Sequence, residues 1–97
     1  MDHLRSIIEA AWESRELLKN PDTREAIREV IDAIDKGELR CASPGTNGWT
    51  INEWVKKAVV LYFPIQKMET QEVGIFEFHD KIPLKKGSEA RGIRVVP

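Results

Sequence analysis

Ninety-seven residues allow one small domain, and 41% hydrophobic residues with three tryptophans can supply its core without disulfide or metal staples. Fifteen basic against sixteen acidic side chains leave a net charge of −1, which excludes a general electrostatic field for nucleic acid or an anionic membrane. The single Cys41 excludes an internal disulfide and fits a reducing compartment. The longest apolar run, Ala58 to Ile65, falls far short of the roughly 20 residues of a membrane-spanning helix. Met1-Asp2-His3 begins no signal peptide, so the expected location is cytoplasmic.

Leu4, Ile7, Ile8, Ala11, Trp12 and Leu18 recur at three- and four-residue intervals and predict an amphipathic helix over residues 3–19, with Glu9, Glu13, Arg15 and Glu16 on its wet side. Asn20-Pro21 breaks the chain. Asp22-Thr23-Arg24-Glu25 then has the spacing of a capping box, and Ile27, Val30, Ile31 and Ile34 carry a second helix to Lys36, where Gly37 supplies a left-handed stop. The two helices are expected to pair antiparallel.

Glu38 to Ala42 alternates polar and apolar, and Trp49-Thr50-Ile51 resumes an extended pattern after the turn formers 43–48, which predicts a short hairpin with a loose loop. Asn52 can cap a third helix from Glu53 to about Phe63, apolar nearly all round except at Lys56 and Lys57 and ended by Pro64. Beyond Ile65 the pattern weakens. Val73 and Ile75 to Phe78 suggest a strand bounded by Pro83, and the polar connector 85–92 leads to a last strand at Ile93 to Val96. The apolar, strand-like Gly92-Ile93-Arg94-Val95-Val96-Pro97 reads as the entrance to another domain, so continuation past Pro97 is expected.

Few residues speak of chemistry. His79-Asp80 places a carboxylate next to an imidazole, but neighbours on a strand point to opposite faces and no nucleophile stands beside them, so a structural role is expected and no catalytic residue is assigned. No thiol or histidine cluster has metal-ligand spacing. Cys41, Trp12 and Trp54 fall on apolar faces and read as core side chains, while Trp49 beside the turn should be partly exposed. Lys56 and Lys57 on an apolar helix read as a solvated strip of snorkelling side chains, with an anion site as the functional alternative. Arg94 interrupts a β-branched run, as an arginine on the wet side of an edge strand would, or one placed for bidentate capture of a carboxylate.

The chain resembles the N-terminal domain of the tetrahydrodipicolinate N-succinyltransferase family, bacterial enzymes of diaminopimelate and lysine biosynthesis. The likeness runs nearly end to end. It is carried by Ile7-Ile8-Glu9 with Ala11, Thr23-Arg24-Glu25-Ala26, Gly37 with Leu39-Arg40, Trp49, Trp54 with Lys56-Lys57-Ala58-Val59, Phe78 with Asp80-Lys81 and Pro83, and Gly92 with Arg94-Val95-Val96-Pro97. The resemblance implies a homotrimeric acyltransferase that moves succinyl from succinyl-coenzyme A to a ring-opened dicarboxylate substrate. Its chemistry belongs to a following left-handed β-helix of hexapeptide repeats, with active sites between subunits. Those repeats are absent from this sequence, so no cofactor is expected in the chain itself. One residue carries over: the arginine of the family's Gly-x-Arg-Val-Val-Pro segment contacts the substrate and falls on Arg94. Lys56 and Lys57 match the family pattern without an implied role.

The expectation is therefore an α+β domain, residues 1–97, with three helices, a short β-hairpin and terminal strands. It would form the substrate-side part of a succinyltransferase and be inactive alone, partnered by the β-helix domain and neighbouring subunits and not by nucleic acid or membrane. The competing class is a non-enzymatic module, either a winged-helix-like reader of nucleic acid or an interaction domain docking through a strand edge at Val95 and Val96.

Overall fold

A computed structural model describes all 97 residues, Met1–Pro97. The chain divides into two compact units, Met1–Gln66 and Lys67–Pro97. In the first unit, α1 (Asp2–Glu13), a 3-10 helix (Arg15–Lys19), α2 (Pro21–Asp35), the hairpin β1 (Ala42–Gly45) and β2 (Gly48–Ile51), and α3 (Glu53–Ile65) follow in order. The second holds the hairpin β3 (Glu69–Val73) and β4 (Phe76–Asp80). The architecture is the expected α+β domain of three helices with small antiparallel sheets.

Each of the three helices packs on the other two. The stripe on α1 delivers Leu4, Ile8 and Ala11, α2 delivers Ala26, Ile27 and Val30, and α3 delivers Val55, Ala58, Leu61, Tyr62 and Ile65 to one shared core. Ile8, Ile27, Leu61, Val30 and Val55 are sealed from solvent. Each such aliphatic side chain contributes about 1.5–3 kcal/mol by leaving water. Leu39, Cys41, Trp12 and Trp54 pack against this core from its margin, as their positions on apolar faces predict.

The first helix is shorter than its periodicity suggests. Ser14 is extended (φ −134°, ψ 99°), and the chain continues as a tighter 3-10 turn with three residues per turn, which brings Leu18 onto the core and leaves Leu17 exposed. The cap of α2 also moves: Asn20, held extended before Pro21, accepts the Asp22 N–H at 2.8 Å, so the helix starts two residues ahead of the capping-box reading. Gly37 takes φ +79° past the end of α2, the left-handed stop its position predicts.

Asn52 does not cap α3 with its side chain. Its Nδ2 instead donates to the Arg40 carbonyl (2.8 Å) and to Ser43 Oγ (3.1 Å), while its N–H donates to the Cys41 carbonyl at 2.7 Å. That clamp moves the pairing later than the alternation of 38–42 implies. Ala42 pairs with Ile51 and Pro44 with Trp49, around a Thr46-Asn47 turn closed by Gly48 at φ +106°. Pro64 lies inside the last turn of α3, where it forfeits a single backbone bond and Ile65 beyond it is still buried.

In the second unit the register runs from Glu69 opposite Asp80 to Val73 opposite Phe76. Gly74 has φ +61° while no other residue type in the chain has positive φ, the signature of a type II′ turn with glycine first, and Ile75 at its tip is 94% exposed. Ile75 therefore belongs to a turn and not to the strand its side chain suggests. No strand forms at Ile93 to Val96: a turn over 87–92 ends with the Ile93 N–H on the Ser88 carbonyl, and the residues after it have no ladder partner.

Candidate functional site

Two consecutive residues on a helix lie about 100° apart around its axis, so Lys56 and Lys57 on the second turn of α3 leave it in different directions. Lys57 points across to α1. Its Nζ donates to Glu9 Oε2 at 2.9 Å and lies 5.7 Å from the centre of the Trp12 ring, with Lys57 and Glu9 side chains 24% and 37% exposed. The Arg15 guanidinium also sits by that ring, 5.0 Å from its centre. Glu9, expected on the wet side, is thus drawn half under cover by a partner 48 residues away. Nothing local in the chain signals that pairing.

Lys56 is exposed and borders a shallow hollow of about 300 Å³, lined by Trp12, Ile51, Glu53, Lys56, Lys57 and Val60. An indole and two aliphatic side chains form its floor, and Lys56 offers the ammonium not already spent on Glu9. A neighbouring hollow of about 380 Å³ beyond Lys57 includes Arg5, Thr50 and Trp54. Such surfaces can hold an anion loosely. They contain no nucleophile beside a base, and no group of three His, Cys, Asp or Glu side chains stands close enough to hold a metal ion.

Arg94, in the second unit, is exposed and free of ion pairs, in a non-repetitive segment after Gly92. A guanidinium so placed can still offer its planar fork to a carboxylate. His79 does not pair with Asp80. Its Nδ1 shares a 2.6 Å hydrogen bond with Thr70 Oγ1 across the β3–β4 ladder, while Asp80 Oδ1 accepts the Lys81 N–H. The third helix carries two basic residues, one of them paired to Glu9, which is a thin complement for a nucleic-acid recognition helix. No helix is long and apolar enough to cross a membrane.

A model of the N-terminal part of tetrahydrodipicolinate N-succinyltransferase matches residues 3–65. The chain is also similar to curated proteins named 2,3,4,5-tetrahydropyridine-2,6-dicarboxylate N-succinyltransferase. That of Idiomarina loihiensis is 39% identical over 107 aligned positions, covering 100% of this chain and 39% of the relative. That of Bordetella avium is 39% identical with 97% and 38% covered, and that of Coxiella burnetii 36% identical with 100% and 39% covered. The chain thus spans about two fifths of the length of the curated relatives it matches.

Proposed function

Since the chain belongs to the tetrahydrodipicolinate N-succinyltransferase family through that family's N-terminal part, we propose that it is the substrate-side portion of an acyltransferase. The reaction would pass succinyl from succinyl-coenzyme A to the amino group of a ring-opened tetrahydropyridine dicarboxylate, in diaminopimelate and lysine biosynthesis in the cytoplasm. The coenzyme and the reacting carbonyl would be held by a further β-helix domain, in a trimer whose subunits share their active sites.

The observation that supports this reading is the match of the whole chain to full-length succinyltransferases, with Arg94 in the Gly92–Pro97 segment. Arg94 would bind one carboxylate of the dicarboxylate through a bidentate pair, which fixes orientation as well as contributing affinity. Lys56 would serve at most as an accessory anion contact.

The test is release of free coenzyme A from succinyl-coenzyme A in the presence of the dicarboxylate. The 97 residues alone should give no turnover, because they hold no site for an acyl donor. The same chain joined to the part of the Idiomarina loihiensis relative that lies beyond the match should be active, and Arg94→Ala in it should raise KM at least ~10-fold, the scale of a lost charge-assisted hydrogen bond. Turnover by the 97 residues alone, or an unchanged KM in the Arg94 variant, overturns the corresponding assignment.

A further inference from the structure

The two units differ in a way that bears on where the relatives' domain boundary falls. The family's N-terminal match stops at residue 65, and the chain's own division into compact units falls between Gln66 and Lys67. Alignment with the full-length relatives nevertheless continues through the whole chain. Residues 67–97 are therefore shared with the succinyltransferases but stand outside the helical domain by two independent criteria.

This second unit has no interior. None of its residues is buried, and a lone two-stranded hairpin is marginal in water. The β3–β4 ladder is nonetheless two-faced. Thr70, Glu72, Glu77 and His79 occupy one face, and Val73, Phe76, Gln71 and Phe78 the other, with Glu69 and Asp80 at its base. Val73, Phe76 and Phe78 are 47%, 62% and 45% exposed, and Val95 and Val96 72% and 70%. An amphipathic hairpin with this alternation presents an apolar face of the kind that one face of an antiparallel sheet usually packs against a core.

We infer that residues 67–97 are the leading layer of a second domain, and that the Val73–Phe76–Phe78 face is the seat on which the polypeptide carried by the relatives beyond the matched span packs. The covering surface is apolar against those three side chains and presents hydrogen-bond donors toward Glu69 and Asp80. The occupant is chosen on length: about three fifths of each relative lies outside the match, ample for a domain that supplies such a core. Arg94 then sits on a segment ordered by that domain and not by the helical unit. The inference rests on the family reading above but not on its chemistry.

Hydrogen exchange read by mass spectrometry tests it on the chain as it stands. Amides of 69–80 should exchange at least ~100-fold faster than those of 55–65, and removal of 67–97 should leave the Tm of the helical unit, which contains the entire buried core, within about 2 °C. Joining the chain to the remainder of the Idiomarina loihiensis relative should slow exchange at 76–80 at least ~10-fold, and Phe76→Ser with Phe78→Ser should abolish that gain. Strong protection of 69–80 in the 97-residue chain, protection that appears only as its concentration rises, or a large Tm loss on truncation overturns the inference. So does an unprotected hairpin in an active joined protein, an outcome that leaves the succinyl-transfer reading standing. A protected hairpin in a joined protein that releases no coenzyme A does the reverse.

Discussion

The chain builds the same motif twice, a two-stranded antiparallel hairpin, and gives it two different supports. The shorter one, β1–β2, has four residues per strand and is tied at its base to the helical unit: Asn52 holds Arg40, Cys41 and Ser43, and Leu39 and Cys41 lie against the core. The longer one, β3–β4, has five residues per strand, a well-formed type II′ turn and a Thr70–His79 cross-strand bond; like β1–β2 it holds no buried residue, but its own unit offers no core for it to be tied to. Ladder length alone should not decide which of the two is the more stable. Backbone bonds largely exchange protein for water partners, whereas removal of apolar surface from water adds net free energy.

The sharpest way to break that contrast is to cut into each region equally. Ile27→Ala removes a side chain with no exposure from the centre of the helical core and should cost about 2–5 kcal/mol in denaturant unfolding. Phe78→Ala, which removes more atoms from the second hairpin, should change the same transition of the 97-residue chain by less than about 0.5 kcal/mol. Comparable losses at the two sites would show that the second unit contributes to the global fold.

Next in size is the clamp on the first hairpin. Asn52→Ala deletes two side-chain hydrogen bonds and should cost about 1–2 kcal/mol, accompanied by faster exchange at 41–51 and none at 69–80. A uniform rise in exchange across both hairpins would mean that they are coupled.

The helical unit was legible in the sequence because its elements announce themselves locally. The stripes Leu4–Ile8–Ala11 and Ile27–Val30 have helical period, Asn20-Pro21 and Gly37 punctuate them, and the residues so marked are the ones buried. What stayed hidden depends on partners far along the chain. The Glu9–Lys57 pair spans 48 residues, Asn52 looks like a cap until Arg40 and Ser43 are seen beside it, and Ile75 reads as strand although Gly74 before it makes a turn. The segment Ile93 to Val96 has strand propensity but no partner strand, and propensity without a ladder leaves it irregular. The candidate site was legible only as residue types: Lys56, Lys57 and Arg94 were visible, but not that Lys57 stands against Glu9 and Trp12.

A smaller effect attaches to that last pair. Lys57→Met keeps the aliphatic stem against Trp12 but removes the charge beside Glu9, and should cost about 0.5–1 kcal/mol, more at low than at high salt. Insensitivity to salt would assign the loss to packing and not to the ion pair.

The smallest effect tests whether belonging to the well-packed unit is itself what gives a contact its worth. Lys36 at the end of α2 pairs with Asp32 at 2.7 Å, a shorter distance than Lys57 to Glu9, but both side chains are 59% exposed. The hydrogen bond to Asp32, and then the charge of that carboxylate, raise the Lys36 pKa above its ordinary 10.5. A raised value means the folded state holds the proton more tightly, so the pair's contribution is fully present below the unfolded lysine's pKa and is lost as pH rises through the folded one. Lys36→Gln should therefore differ from the parent chain by a constant margin near neutral pH, narrowing only in the alkaline range, and that margin should be smaller than the one for Lys57→Met because water competes for an exposed pair. If Lys36→Gln costs as much as Lys57→Met, distance and not burial governs these pairs, and the burial argument for the two hairpins loses its nearest parallel.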